Sequence, residues 1–268
     1  MLIAQLTDFH YLSEGTRLFG YVDVHGMLVR AVDHVLASPN VPDCAVITGD
    51  IVNDGTEADH LAVADILGRL PCPVYVTPGN HDKRAMMGVL PNGATEKLAF
   101  FRVIDDFPVR IIMCDSLVEG AHHGELGEEQ LSLLDKALTD NPDKPTVIAF
   151  HHPPFETGVT FMDSIRLNDA EALETTLRKF NNINVVLCGH LHRMIVKGFA
   201  GTVAMTAPGT AHQVTLDFAD ASRPRWVMEP PGYLLHRWSE GAGLVTHRVY
   251  LDDYGPRAPF HDNHTHVV

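Results

Sequence analysis

The sequence predicts an α/β layered fold, and three observations predict it. Several short apolar runs stop abruptly in polar or Gly-rich residues: "LIAQLTDFH", "CAVITGD", "VYVTPGNHD", "RIIMCDS", "TVIAFHHPP", "NVVLCGHLH" and "TVAMTAPGT". Uncharged runs of this length suit strands of a sheet covered on both faces. Between them lie stretches with apolar residues at three- and four-residue steps, so the sheets are enclosed by helices. Finally, the 268 residues are 45% apolar, enough for a sizeable core and far from a disordered or fibrous composition.

The elements follow in order. "MLIAQLTDFH" is a strand from the first residues rather than a cleavable leader. "VHGMLVRAVDHVLAS" is helical, as is "EADHLAVADILGRL" behind the cap-like Thr56. "GEEQLSLLDKALTD" and "DAEALETTLRKF" repeat the helical pattern. Past residue 195 the chain turns to short β-like pieces and Pro-rich turns, and "PPGYLLHRWSEGAGLVTHRVYL" reads as a hairpin turning at "SEGAG". The expected organisation is a main domain over 1–195, a small β cap or oligomerisation region over 196–255 that includes the last core strand and the His212 loop, and a tail over 256–268. In that tail His261, His264 and His266 read as a solvated terminus.

Charge and composition limit the function. Lys and Arg number 20 against 34 Asp and Glu, a formal charge of −14. Binding to polynucleotides is disfavoured, because phosphate-backbone affinity comes mainly from Lys and Arg. An acidic protein acting on phosphate needs local positive charge, and bound metal ions supply it. No apolar run approaches the roughly 20 residues of a bilayer span, so no membrane is expected and the cytoplasm is the expected compartment. Cys44, Cys72, Cys114 and Cys188 lie singly without a CxxC pair. They read as buried thiols, with a thiolate metal site as the alternative.

The polar residues at the strand ends carry the chemistry: Asp8-x-His10, Gly49-Asp50, Gly79-Asn80-His81-Asp82, His151-His152 and Gly189-His190-x-His192. Each offers oxygen or imidazole where a strand stops, so folding can gather them on one sheet edge. The mixed O/N set suits Fe, Mn, Zn or Co better than Ca or Mg. A lone strand-end histidine is commonly structural, and His152 fits that reading, as the solvated-loop reading fits His122 and His123. So many potential ligands together do not, because a bland core would not collect that many polar groups without partners. Tyr11, Phe19 and Tyr21 follow the first motif and could either pack or line a substrate mouth.

The succession D-x-H, GD, GNH, H and GHxH resembles the calcineurin-like metallophosphoesterase superfamily. The stretches "GDIVNDG", "TPGNHD", "FHHPP", "CGHLH" and "APGTAHQV" are similar to the bacterial binuclear glycerophosphodiesterases and class III cyclic-nucleotide phosphodiesterases. The resemblance covers roughly the first 215 residues and a C-terminal region of similar style. It implies a four-layer α/β/β/α sandwich holding two divalent or mixed-valence metal ions. Asp8, His10 and His192 would hold one metal, Asn80, His151 and His190 the other, with Asp50 bridging. His81 would act near the leaving group, with Asp82 orienting its ring. His212 and Asn53 would meet substrate. The implied reaction is hydrolysis of a small phosphodiester by metal-held hydroxide, with glycerophosphodiesters first and 3′,5′-cyclic nucleotides second. A catalytically silent interaction scaffold is the alternative of another class, disfavoured because no ligand position is altered. A homo-oligomer assembled through the cap is also expected.

Overall fold

The computed structural model describes residues 1–219 and 224–255, with the backbone of two further short strands, β14 (His261–Asp262) and β15 (Thr265–His266). The expectations for His264 and for the side chains of His261 and His266 lie outside the described residues.

Three parallel strands open the chain: β1 (Leu2–Leu6), β2 (Cys44–Thr48) and β3 (Val74–Thr77), linked by α1 (Val24–Ala37) and α2 (Glu57–Leu67). Thr56 caps α2 in a reciprocal capping box with Asp59, as its sequence signature predicts. The second sheet is built from β4 (Arg102–Ile104), β5 (Arg110–Met113), β6 (Thr146–Ala149), β7 (Ile183–Cys188), β8 (Ile195–Phe199) and β9 (Thr202–Thr206), in spatial order β4-β5-β6-β7-β9-β8. Its helices are α3 (Gly127–Asp140), the single turn α4 (Thr160–Asp163) and α5 (Ala170–Leu177).

Side-chain alternation sets the layers. On β2, Ala45 and Ile47 pack under α1 and α2 against Leu28, Val32 and Leu67. Val46 faces the other way and joins Ile111, Met113, Val147 and Leu187 of the second sheet. Ile112, Ile148 and Val186 then face Leu134, Leu138, Leu173 and Leu177 on α3 and α5. The result is helices, sheet, sheet, helices, the α/β/β/α arrangement expected.

The C-terminal hairpin forms where predicted, as β12 (Gly232–Ser239) and β13 (Gly243–Tyr250) joined through residues 239–243, but its position differs from an appended cap. β12 pairs antiparallel with β1, Leu2 opposite Arg237 through Gln5 opposite Leu234, giving the first sheet the order β13-β12-β1-β2-β3. The physical reason is burial: Gly232–His236 is buried throughout, and β1 would otherwise leave a core strand with an unpaired edge. The short pair β10 (Gln213–Val214) and β11 (Trp226–Val227) stands apart as a small C-terminal sheet beside the strand ends.

A polar layer crosses between the sheets. Gln5 donates through Nε2 to Thr48 Oγ1 at 3.1 Å and to the Cys188 carbonyl at 3.0 Å. Its Oε1 faces His236 Nε2 at 3.2 Å, and His236 Nδ1 faces Thr246 Oγ1 at 2.9 Å. Burial pushes the His236 pKa down to about 3 from 6.5. Between those values the unfolded chain binds the extra proton, so stability falls as pH falls from about 6.5 towards 3. One such group changes stability by about 2 kcal/mol between pH 7 and pH 5. In urea unfolding at those two pH values, His236→Gln is therefore expected to lose about that much less than the parent protein. An identical pH dependence for both would exclude His236 as an acid-sensitive group.

Candidate metal centre

Because β1, β2 and β3 run parallel in one sheet, and β5, β6, β7 and β9 run parallel in the other, their carboxyl ends can share an edge. The loops leaving β1, β2, β3, β6 and β7 deliver Asp8 and His10, Asp50, Asn80 and His81, His151, and His190 and His192. Five of these residues sit in the left-handed region: Asp8 at φ 55°, His10 at 45°, Asp50 at 50°, His190 at 70° and His192 at 50°. Each such non-glycine conformation costs on the order of 1 kcal/mol or more, and clusters of them mark sites whose geometry is imposed by the surrounding structure. Backbone bonds impose it here. The Asp8 N–H donates to the Gly49 carbonyl at 3.0 Å, the His10 N–H to that of Asp50 at 2.9 Å, and the Gly189 N–H to that of His151 at 3.0 Å.

Two glycines permit the close approach of these loops. A Cβ on Gly79 would lie 2.2 Å from Asp50 Oδ1, and one on Gly49 would lie 2.5 Å from His151 Nδ1. Gly49 also has φ +89°.

The donors converge in two groups. In the first, His10 Nε2 and His192 Nε2 are 3.1 Å apart, with Asp8 Oδ1 3.4 Å from His192 Nε2. In the second, His151 Nε2 lies 3.2 Å from His190 Nδ1 and 3.3 Å from Asn80 Oδ1. Asp50 Oδ2 is 3.4 Å from both His10 Nε2 and His151 Nε2, placing one carboxylate between the groups.

Neighbouring carbonyls fix two tautomers. His192 Nδ1 faces the His212 carbonyl at 3.1 Å and His151 Nδ1 faces that of Thr48 at 2.7 Å, so both carry hydrogen on Nδ1 and aim an Nε2 lone pair inward. His190 Nε2 and His212 Nδ1 are buried without a protein partner. Converging lone pairs and two buried carboxylates fit cations, and the absence of thiolate keeps the donor set O/N. Burial raises the thiols, Cys44 to about 12 and Cys72 to about 11, and all four cysteines are free.

The titration directions describe the same crowding. Burial raises Asp8, helped by the Asp50 charge and opposed by His192 and His151. Burial also works to raise Asp50, but His151, His81 and His10 hold it well below the usual carboxylate range. Burial depresses His10 and His190 strongly, and brings His212 to about 3. His151 escapes this trend: burial lowers it, yet the Asp50 and Asp8 carboxylates lift it to about 9, so that without a cation beside them the ring takes on Nε2 a proton that a bound cation would replace.

Around these donors, His81 is half-buried and donates its backbone N–H to Asp50 Oδ1 at 2.9 Å. Its ring Nδ1 lies 3.0 Å from the Asn53 carbonyl, and the ring meets His10 edge-on at 4.6 Å. Asp82, expected to orient that ring, instead accepts the backbone N–H groups of Ile51, Val52 and Gly79. It therefore ties the loop of Asp50 to the loop of Asn80, and Asn53 takes the orienting role. The reason is direction: Asp82 points beneath the loops, where three N–H groups need an acceptor. His152 uses both ring nitrogens, Nδ1 with Ser116 Oγ at 2.8 Å and Nε2 with the His122 carbonyl at 3.1 Å, in keeping with a structural histidine. His212 stands 4.5 Å from the His192 ring, and Asn53 and Phe19 line the same cleft of about 490 Å³. Tyr11 is buried in the core with its hydroxyl on His25.

Sequence reasoning missed Trp226 and the apolar trio Phe161, Met162 and Ile165, which also line the cleft. No local pattern marks them, because their place is set by tertiary packing.

The chain resembles known proteins in sequence and in fold. Residues 1–194 match the family described as calcineurin-like phosphoesterase. The chain is 33% identical over 276 residues to a protein of Arcobacter nitrofigilis named "Probable glycerophosphodiester phosphodiesterase GpdQ", with 100% of each chain covered. It is 30% identical over 212 residues to the 3′,5′-cyclic adenosine monophosphate phosphodiesterase CpdA of Escherichia coli (strain K12), covering 79% of this chain and 76% of that one. A dimetal phosphatase structure from Danio rerio shares the fold, with a TM-score of 0.64 at 15% identity over 94% of this chain and 99% of that one. A family match over most of the chain, joined to full-length likeness and to a buried carboxylate–imidazole floor, establishes that this chain belongs to the calcineurin-like phosphoesterases.

Proposed function

We propose that this chain hydrolyses small phosphodiesters, glycerophosphodiesters first among them, at a two-metal centre. The observation that carries the reading is the placement of Asp50 Oδ2 at 3.4 Å from a histidine of each donor group. One carboxylate so placed can offer an oxygen to each of two cations. Asp8, His10 and His192 would hold one, and Asn80, His151 and His190 the other. Fe, Mn, Zn and Co all suit these donors. A bound metal pair lowers the pKa of water and neutralises charge on the phosphate.

The protein's own groups supply the rest. In its doubly protonated form His81 donates its Nδ1 hydrogen to the Asn53 carbonyl and keeps one on Nε2, which it can pass to the departing alkoxide, returning to the neutral ring. His212 and Asn53 bound the phosphate on the cleft side. Glycerophosphodiesters are supported by the full-length likeness to the Arcobacter nitrofigilis protein. A second reading, 3′,5′-cyclic nucleotides, is favoured by the aromatic rings at the cleft mouth, which offer a surface for a base.

Chelation followed by dialysis is expected to abolish hydrolysis of bis(p-nitrophenyl) phosphate, with recovery on adding back Mn, Co, Zn or Fe. Full activity in the chelated protein would sink the metal-centre reading. Rates on glycerophosphoethanolamine, glycerophosphocholine and cyclic AMP then order the substrates, and a preference for a phosphomonoester would overturn the diester assignment.

A further inference from the structure

The cleft is walled by rings above the metal floor. Leu18 and Val22 are buried with Val24 and Ala211, and their backbones bond each other in both directions at 3.0 and 2.9 Å. The loop pinned in this way throws Phe19 and Tyr21 outward, 57% and 64% exposed. Phe19 does so at φ 54°, a conformation that costs a bulky residue on the order of 1 kcal/mol or more. So exposed a ring recovers little of that cost by burial.

Trp226, on β11 and far away in sequence, meets both rings. Its centroid lies 5.3 Å from Phe19 with planes 10° apart, and 5.8 Å from Tyr21 with planes 30° apart. Towards the floor, Phe19 meets His212 edge-on at 5.5 Å, and His212 in turn is 4.5 Å from His192. An unbroken series of rings thus runs from the donor group of His10 and His192 out to the surface. Phe161 and Met162 add further apolar lining.

A polyol arm is well hydrated and gains little from such a wall. A planar aromatic arm gains both apolar burial and offset stacking. From the strained presentation of Phe19, its near-parallel stack with Trp226 and their continuity with the donor histidines, we infer that Phe19 and Trp226 form a specificity-determining stacking surface for phosphoesters with a planar aromatic or heteroaromatic ester arm. The inference rests on the phosphodiesterase reading and concerns the choice of arm within it, where it weighs for the second reading, 3′,5′-cyclic nucleotides, against glycerophosphodiesters.

Calorimetric titration of the metal-replete protein with phenylphosphonate and methylphosphonate tests it, because neither probe has an ester bond to cleave. Phenylphosphonate is expected to bind roughly tenfold more tightly. Phe19→Ala and Trp226→Ala should each bring that ratio below about threefold, and Trp226→Phe should keep most of it. Circular dichroism confirms that the variants are folded. A ratio near one in the parent protein, a ratio unmoved in both alanine variants, or no phenylphosphonate binding overturns the inference. Failure of the diester reading shows separately, as absence of parent turnover on both glycerophosphoethanolamine and bis(p-nitrophenyl) phosphate.

Discussion

Asp50→Asn is expected to lower kcat/KM on any phosphodiester by about 10³-fold or more, equivalent to about 4 kcal/mol of transition-state stabilisation. The bound metal content should fall below two per chain. The substitution is close to isosteric, so the amide oxygen can still accept the His81 backbone N–H that Asp50 Oδ1 now accepts at 2.9 Å. What it removes is charge, at the one carboxylate placed between the groups of His10 and His151. An amide oxygen is a poor bridge between two cations, since it brings no negative charge to offset their repulsion. Elemental analysis and steady-state kinetics on the same preparation read both effects. A variant holding two metals and turning over near the parent rate would remove Asp50 from the bridging position.

Much of the fold was legible because its signals are local. β2 and β6 are buried at every position, so an uncharged apolar run identifies them without knowledge of their neighbours. α2 declares its start through Thr56 and Asp59, which lie three residues apart. β12 has an equally clear strand pattern, but its partner β1 is more than 220 residues away, and nothing in "GYLLHRWS" specifies that pairing. A hairpin was therefore readable where its place in the first sheet was not. The pair β10–β11 is only two residues long on each side, too short for any periodicity.

The donor residues were legible for a related reason: each closes an apolar run, and a strand that stops in Asp, Asn or His announces an edge. Their backbone conformation was not. Left-handed φ is disfavoured for Asp and His outside special settings, and only the folded loops, with bonds such as Asp8 N–H to the Gly49 carbonyl, hold them there. Asp82 illustrates the limit. Adjacency to His81 suggested an orienting partner, yet the three N–H groups it accepts come from Ile51, Val52 and Gly79, two of them 30 and 31 residues away.

His81→Gln is expected to separate substrates by their leaving groups. On glycerophosphoethanolamine, whose departing alkoxide needs a proton, kcat should fall by roughly 10²–10³-fold. On bis(p-nitrophenyl) phosphate, whose p-nitrophenolate is a stable anion, the loss should stay below about tenfold. The contrast follows from where His81 is attached. Its link to the metal floor is the backbone N–H on Asp50 Oδ1, which survives a side-chain substitution, while the ring is held separately by the Asn53 carbonyl. Removing the ring therefore removes a proton donor without removing a ligand, and the metal content should remain at the parent level. Equal losses on both substrates, with metal lost as well, would instead make His81 a support of the metal floor. Loss confined to the poor leaving group would leave Asn80 and His81 as neighbours with different tasks, one at the cation and one at the ester oxygen.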